Sequence, residues 1–150
     1  MKNSILKLFF IGLMMAPSAW AAPGAAALPI VQVYKDPACG CCTAWIKHMQ
    51  ANGFQVVAHD TNDVAAHKRR LGVPFGVGSC HTAEVGGYVV EGHVPAQDIR
   101  RLLSERPRVR GLVVPGMPMG SPGMEEGGRK DAFDVLRIER DGSTRAYAHY

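Results

Sequence analysis

Four cysteines carry the most distinctive chemistry in the 150-residue sequence. Three stand together in Cys39-Gly40-Cys41-Cys42, and Cys80 lies well downstream. Cys39 and Cys42 form a C-x-x-C pair between a β-branched run and a helical pattern. The free N–H groups and dipole of a helix start stabilise a thiolate, so these sulfurs are expected to be acidic and reactive. Strand, C-x-x-C, then helix is the signal of a thioredoxin-like redox site. Cys41 disturbs that reading, because a dithiol site needs two cysteines and a third between them invites wrong pairing.

Cys80 is expected beside this trio, because it immediately precedes a strand whose start should face the helix N-terminus. Four converging thiolates suit soft ions: Cu(I), zinc or an iron–sulfur cluster. A single tetrahedral zinc usually takes two well-separated pairs, which C-x-C-C does not offer. Closely grouped sulfurs can instead bridge several Cu(I) ions. The plainer alternative is two disulfides, Cys39–Cys42 and Cys41–Cys80, stapling a small secreted domain. The residues alone leave metal and staple evenly matched, since oxidation competes with metal for the same sulfurs.

A second unusual stretch is Pro115-Gly116-Met117-Pro118-Met119-Gly120-Ser121-Pro122-Gly123-Met124. Its methionines lack the helical spacing that would mark a core face. Thioethers are soft and bind without losing a proton, so Met117, Met119 and Met124 suit copper. The alternative is a loop that folds back to fill gaps in the core. Among the six histidines, His81 beside Cys80 and His93 in Glu91-Gly92-His93-Val94-Pro95 are the two expected near the cysteines. His48, His59, His67 and His149 read as ordinary surface or strand residues.

The elements that must position these groups are legible in outline. Strands are expected over 30–34 and 55–59. A helix is expected over 42–52, with Trp45, Ile46 and Met49 on one face and Gly53 as its stop. Thr61, Asn62 and Asp63 offer a cap to a second helix, Val64 to Leu71, ending at Gly72. Residues 82–85 and 88–91 flank Gly86-Gly87 as a hairpin. Pro95 suits the first turn of a third helix, with Ile99, Leu102 and Leu103 facing inward and Pro107 ending it. The order β-α-β-α-β-β-α is that of thioredoxin and glutaredoxin folds: a mixed sheet with helices on both faces. The Met-rich loop and a terminal hairpin over 133–147 follow. Where thioredoxin-like proteins carry a proline before the third strand, this chain has Cys80-His81-Thr82, with Pro74 several residues earlier.

Lys2 and Lys7 precede and begin an apolar run that ends at Ala16, and Ala19-Trp20-Ala21 fits a small-x-small cleavage pattern. The run is far shorter than the roughly 20 residues a bilayer needs, so residues 1–21 read as a secretory signal peptide and not as a lasting anchor. Residues 22–29 form a loose Ala/Gly/Pro leader, and 30–150 one domain. The expected compartment is the periplasm, where unprotected thiol pairs oxidise. The formal charge is +4, and removing Lys2 and Lys7 leaves 15 basic residues against 13 acidic. The basic cluster from Arg100 to Arg110 is too short for the stripe a nucleic-acid binder needs, so nucleic acid is not an expected partner.

Several segments together resemble a family of exported bacterial copper-resistance proteins, the CopG-like family. They are Val33-Tyr34-Lys35-Asp36-Pro37-Ala38-Cys39-Gly40-Cys41-Cys42, Leu71-Gly72-Val73-Pro74, Ser79-Cys80-His81-Thr82-Ala83, Gly87-Tyr88-Val89-Val90-Glu91-Gly92-His93-Val94-Pro95, the methionine stretch 115–124 and Asp134-Val135-Leu136. The resemblance implies a thioredoxin-like periplasmic domain that binds several Cu(I) ions through its cysteines, works in copper resistance alongside other copper-handling proteins, and interconverts Cu(I) and Cu(II). It favours metal binding over turnover. The competing expectation is a thiol–disulfide oxidoreductase, with Cys39 attacking and Cys42 resolving. Against it stand the third cysteine, the absent proline before Thr82 and the lack of a Trp beside the C-x-x-C.

Overall fold

The β-branched run after Pro29 forms β1 (Val31–Lys35), with Val31, Val33 and Lys35 buried on one face. A computed structural model describes residues 27–150; the expected signal peptide, 1–21, and residues 22–26 of the leader lie outside the described residues. Helix α1 (Gly40–Ala51) starts two residues earlier than its apolar pattern suggests. Cys39 is its N-cap, and the Cys39 sulfur accepts the Cys42 N–H at 3.3 Å, which satisfies one donor that a helix start leaves free. Strand β2 (Val56–Asp60) runs parallel to β1. Helix α2 (Val64–Leu71) has the expected bounds: the Asp63 carboxylate accepts from Ala66 N at 2.8 Å, and Gly72 closes the helix with φ of 72°.

Strands β3 (His81–Val85) and β4 (Tyr88–Glu91) form the expected hairpin, and β3 lies antiparallel to β1 with His81 opposite Lys35. Helix α3 (Ala96–Glu105) follows, with Pro95 as its N-cap and not in its first turn. Proline has no side chain to cap with. His48 of α1 supplies the acceptor instead: its Nε2 takes the Ala96 N–H at 3.1 Å. This histidine, read from sequence as ordinary, therefore ties α1 to α3.

Strand β5 (Gly111–Val113) was not foreseen. It pairs parallel to β4, with Gly111 opposite Val89, so closely that a Cβ at 111 would sit 1.8 Å from the Val89 carbonyl oxygen. Strands β6 (Asp134–Ile138) and β7 (Thr144–His149) are the terminal hairpin. The mixed seven-stranded sheet has the order β2-β1-β3-β4-β5-β6-β7. Trp45, Met49, Ile99 and Leu102 pack with Val31, Val33, Ala83 and Val90, so α1 and α3 cover one face. Tyr34 points to the other face and stacks on His67 of α2, ring centroids 4.0 Å apart. No described helix is long and apolar enough to cross a membrane.

Candidate metal centre

The register of β3 against β1 delivers Cys80 to the N-terminus of α1. Its sulfur lies 3.6 Å from Cys41 Sγ and 3.4 Å from Cys42 Sγ, and Cys41 Sγ lies 3.5 Å from Cys39 Sγ. All four sulfurs fall within 4.8 Å of one another. Cys42 is fully buried and the other three are partly exposed. Cys39 and Cys42 are joined as a disulfide, whereas Cys41 and Cys80 are free thiols. Of the two staples weighed from sequence, the first is formed and the second is not. Burial, then the neighbouring Cys41, pushes the Cys80 thiol up to about 12. A proton thus stays on this sulfur until something stronger displaces it, which is what a soft metal does.

Both expected histidines are here and both are buried. His93 donates from Nδ1 to the Pro122 carbonyl at 2.8 Å. A carbonyl can only accept, so the proton is fixed on Nδ1 and the lone pair on Nε2. That Nε2 lies 3.1 Å from Cys80 Sγ. A ring held through one nitrogen by a carbonyl, with the other presented to a cluster of sulfurs, is the arrangement of a metal-ligating histidine. His81 Nδ1 is 3.5 Å from Cys80 Sγ, and its buried Nε2 has no partner. Burial lowers both imidazoles below the usual histidine range, and the nearby His93 and Lys68 add to the effect at His81. Neutral rings keep lone pairs for a metal.

The methionine loop is fastened around the same spot. Gly116 N donates to Gly78 O at 3.2 Å, and the Ser79 hydroxyl donates to Gly116 O. Pro122 holds His93. Gly123 rests on α1, where a Cβ would meet Trp45 N at 2.7 Å and Cys41 O at 2.8 Å. Met117 is 51% exposed, Met119 and Met124 are half-buried, and none of the three joins the core. The core-filling alternative therefore loses its premise. Four clustered sulfurs with the His93 lone pair beside them make a donor set that suits a soft ion better than a hard one.

A family model described as "Protein of unknown function, DUF411" matches residues 77–124, the stretch holding Cys80, His81, His93 and the three loop methionines. Comparison with curated proteins finds no match. Two solved structures of copper resistance protein CopG, forms 2 and 1, are 51% identical to this chain and superpose with TM-scores of 0.78 and 0.77. Each match covers 82% of this chain and 98% of the CopG chain. The chain belongs to the CopG family.

Two charged residues beside this cluster escaped the sequence reading. Glu91 is fully buried, and Lys68 of α2 forms an ion pair with it. A lone acid closing the apolar strand Tyr88-Val89-Val90-Glu91 was the available signal, but nothing local names its partner.

Proposed function

We propose that this CopG-family chain is a periplasmic copper-binding protein of copper resistance that gathers several Cu(I) ions as a thiolate-bridged cluster. Cys39, Cys41, Cys42 and Cys80 are the bridging ligands, with His93 and His81 completing the set and Met117, Met119 and Met124 serving entry or transfer. Residues 30–150 are the copper-binding domain, thioredoxin-like in its strand–CxCC–helix element, and residues 1–21 direct its export. The observation that carries this reading is the convergence of four sulfurs within 4.8 Å of one another from two separate parts of the chain. The copper-resistance name of its relatives points the same way.

Copper loading requires the Cys39–Cys42 disulfide to open, with two electrons and two protons supplied by an external dithiol. The same pair can exchange two electrons with copper directly. Two Cu(II) become two Cu(I) as the dithiol closes to a disulfide and releases two protons, and the reverse also balances. Copper state and thiol state are coupled in this way. The deciding measurement is anaerobic titration of the reduced protein with Cu(I) against a chromophoric competitor. More than one Cu(I) per chain is expected; saturation at one or fewer overturns the cluster. The disulfide at the start of α1 favours a second reading, a thiol–disulfide oxidoreductase, which gains if copper-free protein turns over a disulfide substrate and Cu(I) leaves that turnover unchanged.

The methionines admit a separate test. Replacing Met117 and Met119 together by Leu should leave the melting temperature nearly unchanged, since swaps of this kind usually cost under ~1.5 kcal/mol. Copper affinity or transfer rate should fall nonetheless. Unaltered copper kinetics in a folded double mutant would remove both residues from the copper path.

A further inference from the structure

We propose that the Lys68–Glu91 ion pair is a positioning device for the metal centre, gripping the backbone on both sides of Cys80 and so setting where that sulfur meets the three on α1. The purpose of the grip rests on the copper reading; the grip itself rests on geometry. Glu91 Oε1 accepts the Ser79 N–H at 2.6 Å and also takes the Lys68 ammonium. Lys68 Nζ in turn donates to the His81 carbonyl at 3.1 Å. Ser79 N and His81 O belong to the residues on either side of Cys80, and one ion pair holds both.

Cys80 needs such a hold. The pairing of β1 with β3 ends at Lys35–His81, one residue short of it; Gly92 N also reaches the His81 carbonyl at 3.2 Å, but no strand residue pairs with Cys80 itself. Glu91 lies opposite Thr82 on the face that α2 covers, away from Trp45 and His81. It therefore acts on the centre through the backbone and not as a ligand. Stability alone is a weak reason for this pair, because well-packed apolar residues in place of a buried ion pair are often as stabilising or more so. Buried charges that orient a metal's ligands have a different use: outer partners of this kind commonly change metal affinity 10–100-fold.

The test uses Lys68→Met/Glu91→Leu, which removes both charges and leaves neither stranded. In the reduced, copper-free protein, Cys80 should be alkylated about tenfold faster than in the wild type, with Cys41 unchanged, as read by peptide mass spectrometry. Cu(I) affinity should fall at least ~10-fold while the melting temperature stays near that of the wild type. A folded double variant with Cys80 alkylation and Cu(I) affinity within about twofold of the wild type overturns the proposal. If the double variant does not fold, Glu91→Gln decides. It keeps an acceptor for Ser79 N but loses the charge that holds Lys68, so Cys80 alkylation should rise about threefold, and no rise overturns the grip. Wild-type protein that binds no Cu(I) would instead sink the copper reading, and the alkylation result would still decide the grip.

Discussion

Replacing Cys80 with Ser is expected to remove as much copper from the reduced protein as losing a cysteine inside Cys39-Gly40-Cys41-Cys42. Its sulfur lies 3.6 Å from Cys41 Sγ, 3.4 Å from Cys42 Sγ and 3.1 Å from His93 Nε2, so it joins the α1 sulfurs to the imidazole side of the centre. Serine preserves the shape but offers a hard, protonated oxygen that Cu(I) does not favour. Affinity should fall by more than the roughly 10–100-fold that follows loss of an outer partner. The fold should survive, because Cys80 lies outside the core and is partly exposed. Metal analysis and thermal unfolding on the same sample separate the two effects. A folded Cys80→Ser protein that retains its full copper would end the four-thiolate reading.

The docking of Cys80 was legible because each step had a local signal. A β-branched run gave β1, Gly86-Gly87 gave the hairpin, and the topology then left one place for the start of β3. Helix α2 came out with the observed bounds because Asp63 and Gly72 are strong, short-range caps. The start of α1 was missed by two residues for the same kind of reason. Cysteine is not among the preferred capping residues, so nothing in the sequence marks Cys39 as an N-cap. Strand β5 was illegible because three residues show no periodicity, and its reason for pairing is a glycine that lets another backbone close in. Lys68 sits in Lys68-Arg69-Arg70, which reads as a solvated helix end with a favourable dipole. Only the tertiary fold reveals that its side chain is 19% exposed and spent on Glu91. The bond from His93 to Pro122 is likewise a contact between two loops, and no local rule predicts it.

Gly123→Val should loosen copper at the other side of the centre. Gly123 has φ of 87°, where a β-branched residue is strained. A Cβ there would also run into Trp45 N, Cys41 O and Trp45 Cα, all backbone of α1 that cannot step aside. The loop must lift, and two attachments go with it. Pro122 O leaves His93 Nδ1, freeing the ring to turn its lone pair away, and the seat of Gly123 on α1 is lost. Overpacking of this kind costs about 1–3 kcal/mol, so Tm should drop measurably. Cu(I) affinity should fall on the order of 10–100-fold through the loss of the histidine's partner. The four thiols remain, so the number of Cu(I) ions bound at saturation should change little. Strain alone is controlled by Gly127→Val in the same loop region: Gly127 also has positive φ, 62°, but a Cβ there meets nothing within 4 Å. That variant should lose stability without losing copper affinity. Equal copper affinity in the two variants would show that the loop's seat on α1 does not serve the metal, and His93 would then have to hold its orientation without Pro122.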